Sequence, residues 1–264
     1  MNEVSGSMTD SARDHPLLEL RNASKAFGNV VALANASLFA YAGSVVALVG
    51  DNGAGKSTMV KVLAGVHRMD SGELFLDGLP VTIDTPSDAQ GLGISTVFQD
   101  LALVEALDIA ANVYLGRPIK RGIFVNRPAM LEGAADLLRD LRIRVPSVRV
   151  PVGSLSGGQR QGVAIARSVL QHGRVIVMDE PTAALGIRET RHVEEIIVEL
   201  RSNGRAIILV SHDLELVFRM ADRIEVLRLG AVQGVRETKS TTREEIVGLI
   251  TGILKEPVAN QRPA

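Results

Sequence analysis

An α/β fold with a mainly parallel core sheet is predicted by three features of this 264-residue chain. Short apolar runs alternate with stretches of helical periodicity, the pattern of strand–helix–strand crossovers. A glycine-rich turn at 50–58 joins one of those runs to a helix start. Another run, Val175 to Met178, ends abruptly in Asp179 and Glu180. Such an ending places charge at the carboxyl edge of a sheet, where open α/β folds bind ligands.

Taken in order, Leu17 to Leu20 and Val30 to Leu38 read as strands, and Val45 to Val49 as a buried one. The stretch 26–50 holds no charged residue, but Asn29, Asn35, Ser37, Gly43 and Ser44 interrupt it. It therefore lacks the run of about 20 apolar residues that a membrane span needs. Two buried strands joined by a turn at 41–44 account for it better. A helix starts within 55–58 and runs to about Ala64; Glu73 to Leu76 alternates, and Asp77-Gly78 marks a hairpin turn. Ile94 to Phe98 is a further strand.

From 100 to 150 helical patterns dominate, over Asp108 to Leu115 and about Arg127 to Leu141. Residues 117–149 carry eight Arg/Lys against three Asp/Glu, either a solvated helical lobe or a docking surface for a membrane-bound partner. The α/β alternation then resumes: a helix from Gly158 to about Gln171, the strand at 175, and a helix from about Arg188 to Arg201. Strand Ala206 to Val210, helix Asp213 to Ala221 and strand Ile224 to Leu227 follow. The 35 residues after Leu229 are too few for an ordinary regulatory domain.

Composition narrows the function classes. Cysteine is absent, which excludes disulfides and thiolate metal sites and fits a reducing cytosol. A net charge of −1 argues against a dedicated nucleic-acid binder, which needs a basic face. Residues 1–16 have no apolar stretch and read as a flexible leader rather than a secretory signal.

Gly50, Asp51, Asn52, Gly53, Ala54, Gly55, Lys56, Ser57 and Thr58 match the G-x-x-x-x-G-K-[ST] phosphate loop in its required strand-to-helix setting. Glycines let backbone N–H groups turn around phosphate oxygens, and the helix N-terminus favours an anion. Lys56 is placed to reach the β- and γ-phosphates, and the Ser57 hydroxyl to ligate Mg²⁺. Asp179 suits the Mg²⁺ shell, and Glu180 suits a general base or water-orienting role at the γ-phosphate. Leu155-Ser156-Gly157-Gly158-Gln159 opens the helix that carries Gln161, Arg167 and Ser168, so a second set of backbone N–H groups faces outward. A serine N-cap with flexible glycines is the competing explanation.

In these motifs the chain resembles the ATPase subunits of ABC transporters, over about residues 17–250. The resemblance implies a P-loop NTPase of ABC type, with an antiparallel β subdomain and an α-helical subdomain, about 100–157, inserted in it. Residues 251–264 then form a tail. It implies a homodimer in which each ATP lies between one phosphate loop and the partner's LSGGQ signature, so that Ser156 and Gly158 contact the γ-phosphate on the partner subunit's Lys56. Gln99 matches the glutamine that senses Mg²⁺ and the attacking water and links to the membrane subunit. His212 matches the switch histidine at the γ-phosphate. Phe27, 29 residues before Lys56, matches the aromatic that stacks on adenine. A strand-end glutamine, a structural histidine and a core phenylalanine are the alternatives. Gly186 departs from the pattern, which has Asp there; this bears on communication across the dimer and not on the catalytic set.

The stretches 98–101, 112–117 and 179–186 are similar to bacterial monosaccharide importers of the ribose, xylose and fructose type, in a single-domain form. The expected function is thus ATP hydrolysis coupled to sugar uptake, at the cytoplasmic face of the membrane. The expected partners are integral-membrane permease subunits and, indirectly, a periplasmic sugar-binding protein, with no nucleic acid. The alternatives are a transporter ATPase for a non-sugar substrate, an ABC-type ATPase acting on DNA or ribosomes, and a nucleotide-gated module that barely hydrolyses. Against the second, Lys56 and Leu155 lie 99 residues apart with no sustained heptads and only one motif set. Against the third stand Glu180, His212 and a complete signature.

Overall fold

The computed structural model describes residues 15–171 and 173–254. Most of the expected leader and tail (1–14 and 255–264) lies outside the described residues. The chain begins β1 (Leu18–Phe27), β2 (Val30–Ala40), β3 (Val45–Val49), α1 (Lys56–Leu63), β4 (Ser71–Leu76), β5 (Leu79–Val81), α2 (Pro86–Gly91) and β6 (Ile94–Val97). It continues with α3 (Ile109–Val113), β7 (Lys120–Arg121), β8 (Phe124–Val125), α4 (Arg127–Asp140) and α5 (Gly157–Leu170). The rest is β9 (Val175–Asp179), α6 (Ile187–Ser202), β10 (Ala206–Val210), α7 (Leu214–Met220), β11 (Arg223–Arg228), β12 (Ala231–Glu237) and α8 (Arg243–Thr251).

The core sheet has the order β12-β11-β3-β10-β9-β6 and is parallel except for the outer β11–β12 pair. Strands β3 and β10, and β9 up to Met178, are continuous apolar runs because helices and a second sheet cover both faces. Alternation along β3 assigns the layers. Val45, Ala47 and Val49 pack with Ile165 of α5 and Ile197 of α6, whereas Val46 and Leu48 pack with Met59 of α1 and Leu20 of β1. Register puts Leu48, Val210 and Asp179 side by side, so the loops after β3, β10 and β9 leave one edge together.

The second sheet, β2-β1-β4-β5, is antiparallel throughout. The two strands expected within 26–50 are present and joined at 41–44, but only β3 is buried along its whole length. The turn at 41–44 carries the chain from the antiparallel sheet into the core sheet, and β2 is exposed at its Val30-Val31 end. The Asp77-Gly78 turn is present, with both residues at positive φ as a type I′ hairpin requires. Between α3 and α4, and so between the two expected helical stretches, lies a β7–β8 hairpin.

The two sheets meet at a buried carboxyl group. Glu225 of β11 is fully inaccessible; its Oε1 accepts the Phe39 N–H at 3.2 Å, and its Oε2 has no partner. Burial pushes this carboxyl up to about 8. No helix among the described residues is long and apolar enough to cross a membrane.

Candidate nucleotide-binding site

The turn between β3 and α1 is shaped by two glycines that tolerate no side chain. A Cβ at Gly50 would lie 2.1 Å from the Leu227 carbonyl oxygen, and one at Gly55 2.4 Å from that of Ala32. Gly55 is the N-cap of α1 and supplies no side-chain acceptor, so the first-turn N–H groups have no side-chain cap. The Lys56 ammonium folds over the turn and donates to the carbonyls of Gly50 at 2.7 Å and Asp51 at 3.0 Å. Half-burial lowers its pKa, opposed by the nearby Glu180, Asp51 and Asp179. Asp51, Asn52, Gly53 and Ser57 are exposed; Ala54 is buried and Thr58 half-buried.

At the end of β9, Asp179 is half-buried, and its carboxyl is raised by burial and then by the adjacent Glu180, with Lys56 and Lys61 pulling the other way. Glu180 adopts φ 51°, a left-handed conformation that costs a non-glycine residue about 1–3 kcal/mol. Its N–H still bonds Val210 O at 2.9 Å, so the chain turns sharply one residue beyond the ladder. The turn aims the carboxylate at the loop after β10. There Oε1 accepts the His212 N–H at 3.1 Å and lies 2.8 Å from His212 Nδ1. The structure therefore brings Lys56, Asp179, Glu180 and His212 to one edge. Gln99 follows β6, whose Val97 is in register with Met178, so it leaves the sheet beside Asp179 with its side chain exposed.

Phe27 stands at the open end of β1, 44% exposed, and is not a core residue. His67 meets its ring edge-on at 5.0 Å, and the Lys25 ammonium lies 5.5 Å from its centroid. Asp70 holds Lys25 at 2.6 Å and accepts the Ala26 N–H at 2.7 Å, which fixes the strand end. Neither His67 nor Asp70 was expected from sequence; the available signal was the two-residue spacing of Lys25 and Phe27, which puts them on one strand face.

The turn at 155–159 is a capping box: Ser156 Oγ accepts the Gln159 N–H at 3.3 Å, and Gln159 Oε1 accepts the Ser156 N–H at 3.0 Å. Gln159 also donates to Arg144 O at 3.1 Å. The glycines are close-approach positions, not flexible spacers. A Cβ at Gly157 would lie 3.0 Å from Leu185, and one at Gly158 2.8 Å from Glu189 Cβ and Cγ. Gly158→Ala is expected to cost about 1–3 kcal/mol through this overpacking. It should appear as a lower urea midpoint without any ligand; an unchanged midpoint would show that α6 yields freely. At Gly186 a Cβ would come within 2.7 Å of Glu189 Oε2, so the Glu189 carboxylate folds over this position. No hydrogen bond among the described residues joins 156–159 to Lys56, Glu180 or His212 of the same chain.

One brace escaped the sequence reading. Arg167, near the far end of α5, donates to Leu101 O at 2.7 Å and Ala102 O at 2.9 Å. It ties the helix that starts at Ser156 to the segment just after Gln99.

The oxygen donors of these loops also bear on a metal. Ser57 offers a hydroxyl, Asp179 a carboxylate and Gln99 an amide oxygen, all hard donors suited to Mg²⁺, which keeps most of its water. No group of three or more acids or histidines able to hold a metal ion occurs among the described residues.

With this geometry in place, comparison with known proteins defines the class. The ABC transporter family profile matches residues 33–183, and the chain belongs to that family. More particularly, it is 43% identical to the xylose/arabinose import ATP-binding protein of Sulfolobus acidocaldarius over 89% of this chain and 94% of that one. It is also 43% identical to the fructose import ATP-binding protein of Rhizobium meliloti, over 92% and 96%. Among solved structures, a dimeric post-hydrolysis ATP-binding cassette bound to ADP and phosphate superposes with a TM-score of 0.71 at 26% identity, covering 85% of this chain and 100% of that one.

Proposed function

We propose that this chain is the ATP-hydrolysing subunit of an importer for a small sugar, a monosaccharide such as fructose or ribose. The observation that carries the reading is a division of labour. One edge of the core sheet gathers Lys56, Asp179, Glu180 and His212, while the signature turn of the same chain makes no hydrogen bond to them among the described residues. A second copy completes the site: Ser156, Gly157, Gly158 and Gln159 of one protomer close over the phosphates held by its partner. The dimeric cassette with ADP and phosphate supports this arrangement.

Within the site, residues 50–58 hold the phosphates and Phe27 stacks on the adenine. Ser57, Asp179 and Gln99 would hold Mg²⁺, which would supply positive charge to offset that of the phosphates. Glu180, aimed by its left-handed backbone and by His212, orients or deprotonates the attacking water. The domain spans 17–250, with the 100–157 insertion facing integral-membrane permease subunits at the cytoplasmic face of the membrane. A periplasmic sugar-binding protein acts indirectly. The names of the two import relatives support the sugar reading.

Lys56→Ala is expected to abolish the rise in melting temperature that Mg-ATP gives the wild type. A ligand present at about 100 times Kd stabilises by about 2.7 kcal/mol, so the wild-type shift is readily measured. Equal shifts in the two proteins would remove Lys56 from the phosphate site.

A further inference from the structure

The β7–β8 hairpin shows Ile123, Phe124 and Val125 at 89%, 73% and 55% exposure. Its turn is built for that display. Gly122, at φ 63°, is the first central residue of a two-residue loop, and Lys120 pairs with Val125 and Arg121 with Phe124. Directly opposed residues share a face, so each face of the ribbon carries one cation beside one apolar side chain, with Ile123 at the tip. The base is fixed. Ile119 packs on the core, the Asn126 N–H bonds Ile119 O at 2.7 Å, and the next residue, Arg127, pairs with Asp108 at the start of α3.

Arg117, Lys120 and Arg121 are exposed and have no ion pair among the described residues, and 109–131 contains no acid. A rigid apolar tip backed by unpaired cations complements an anionic, partly apolar surface. Three side chains are too few for a stable protein interface, which needs about 800 Å² from each partner. They are enough to enter the headgroup layer when basic residues stand behind them. We propose that the 117–125 hairpin is a lipid-contact element that seats this chain on an anionic membrane surface, independently of any protein partner.

The test uses the full chain and lipid vesicles. Wild type is expected to float with phosphatidylcholine vesicles containing phosphatidylglycerol, and not with phosphatidylcholine alone. Each cation contributes about fivefold near an anionic surface, so Lys120→Glu with Arg121→Glu should lower partitioning by more than about 25-fold. Ile123→Ser with Phe124→Ser should lower it by at least about tenfold. Basal ATP turnover should be unchanged in both variants, since none of these residues touches the nucleotide site. The chain has no tryptophan, so Phe124→Trp provides a single reporter whose emission should shift to the blue on anionic vesicles. No flotation of the wild type, equal binding to neutral vesicles, or variants that float as the wild type does would each overturn the proposal. So would a blue shift of the Phe124→Trp protein that needs permease in detergent and is absent on vesicles, which would reassign the hairpin to a protein contact.

Discussion

Glu180→Gln is expected to lower ATP turnover by roughly 10²–10⁴-fold, the usual contribution of a positioned general base. Glutamine keeps an oxygen at the Oε1 position, where it still accepts the His212 N–H. The sharp turn at φ 51° is set by the backbone, so the neighbouring Asp179 should not move. Only the ability to take a proton from water is removed. ATP binding should therefore survive, and the dimer should accumulate because the step that dissolves it is blocked. Phosphate release at saturating Mg-ATP, with light scattering to follow the dimer, separates the two effects. Turnover within about tenfold of wild type would rule out the base assignment.

The second large effect concerns stability. In the folded chain Glu225 holds its proton up to about 8, because burial disfavours the charge and only the Phe39 N–H and Arg223 oppose it. In the unfolded chain it ionises near the ordinary glutamate range. The folded state therefore binds more protons between those values, and stability from this group falls as pH rises through them. Between pH 5 and 8 the wild type should lose on the order of 3 kcal/mol from this source. Glu225→Gln removes the titration, so the difference between wild-type and variant urea midpoints should narrow or reverse with rising pH. Parallel profiles across that range would mean that the carboxyl is not buried without a counter-charge. Asp70, Asp77 and Glu245, held below the usual range by Lys25, Arg174 and Arg236, act oppositely and only at lower pH.

How much of this was readable in the sequence follows from how local each signal is. Strands β3 and β10 appear at the expected residues because burial on both faces demands an unbroken apolar run. The motif residues fall on strand-to-helix turns for the same local reason. β12, with Gly234 in its middle, and α8, with an apolar face of only Ile246, Leu249 and Ile250, draw their order from packing on the sheet edge. Short segments of that kind carry little periodicity. The β7–β8 hairpin has two residues per strand and offered none. Within the site the missed residues share one cause. Asp70 to Lys25, Arg167 to Ala102 and Glu189 to Gly158 are contacts between distant positions, and no local window holds both partners.

The Arg167 brace fixes where a closing force is delivered. Because its guanidinium, near the far end of α5, grips the carbonyls just past Gln99, the helix and the Gln99 segment would move as one lever arm. In the proposed dimer, the triphosphate onto which that arm closes would belong to the opposite protomer. Each half of the dimer would then report its neighbour's occupancy to its own membrane contact, and a single filled site would load the two permease contacts unequally.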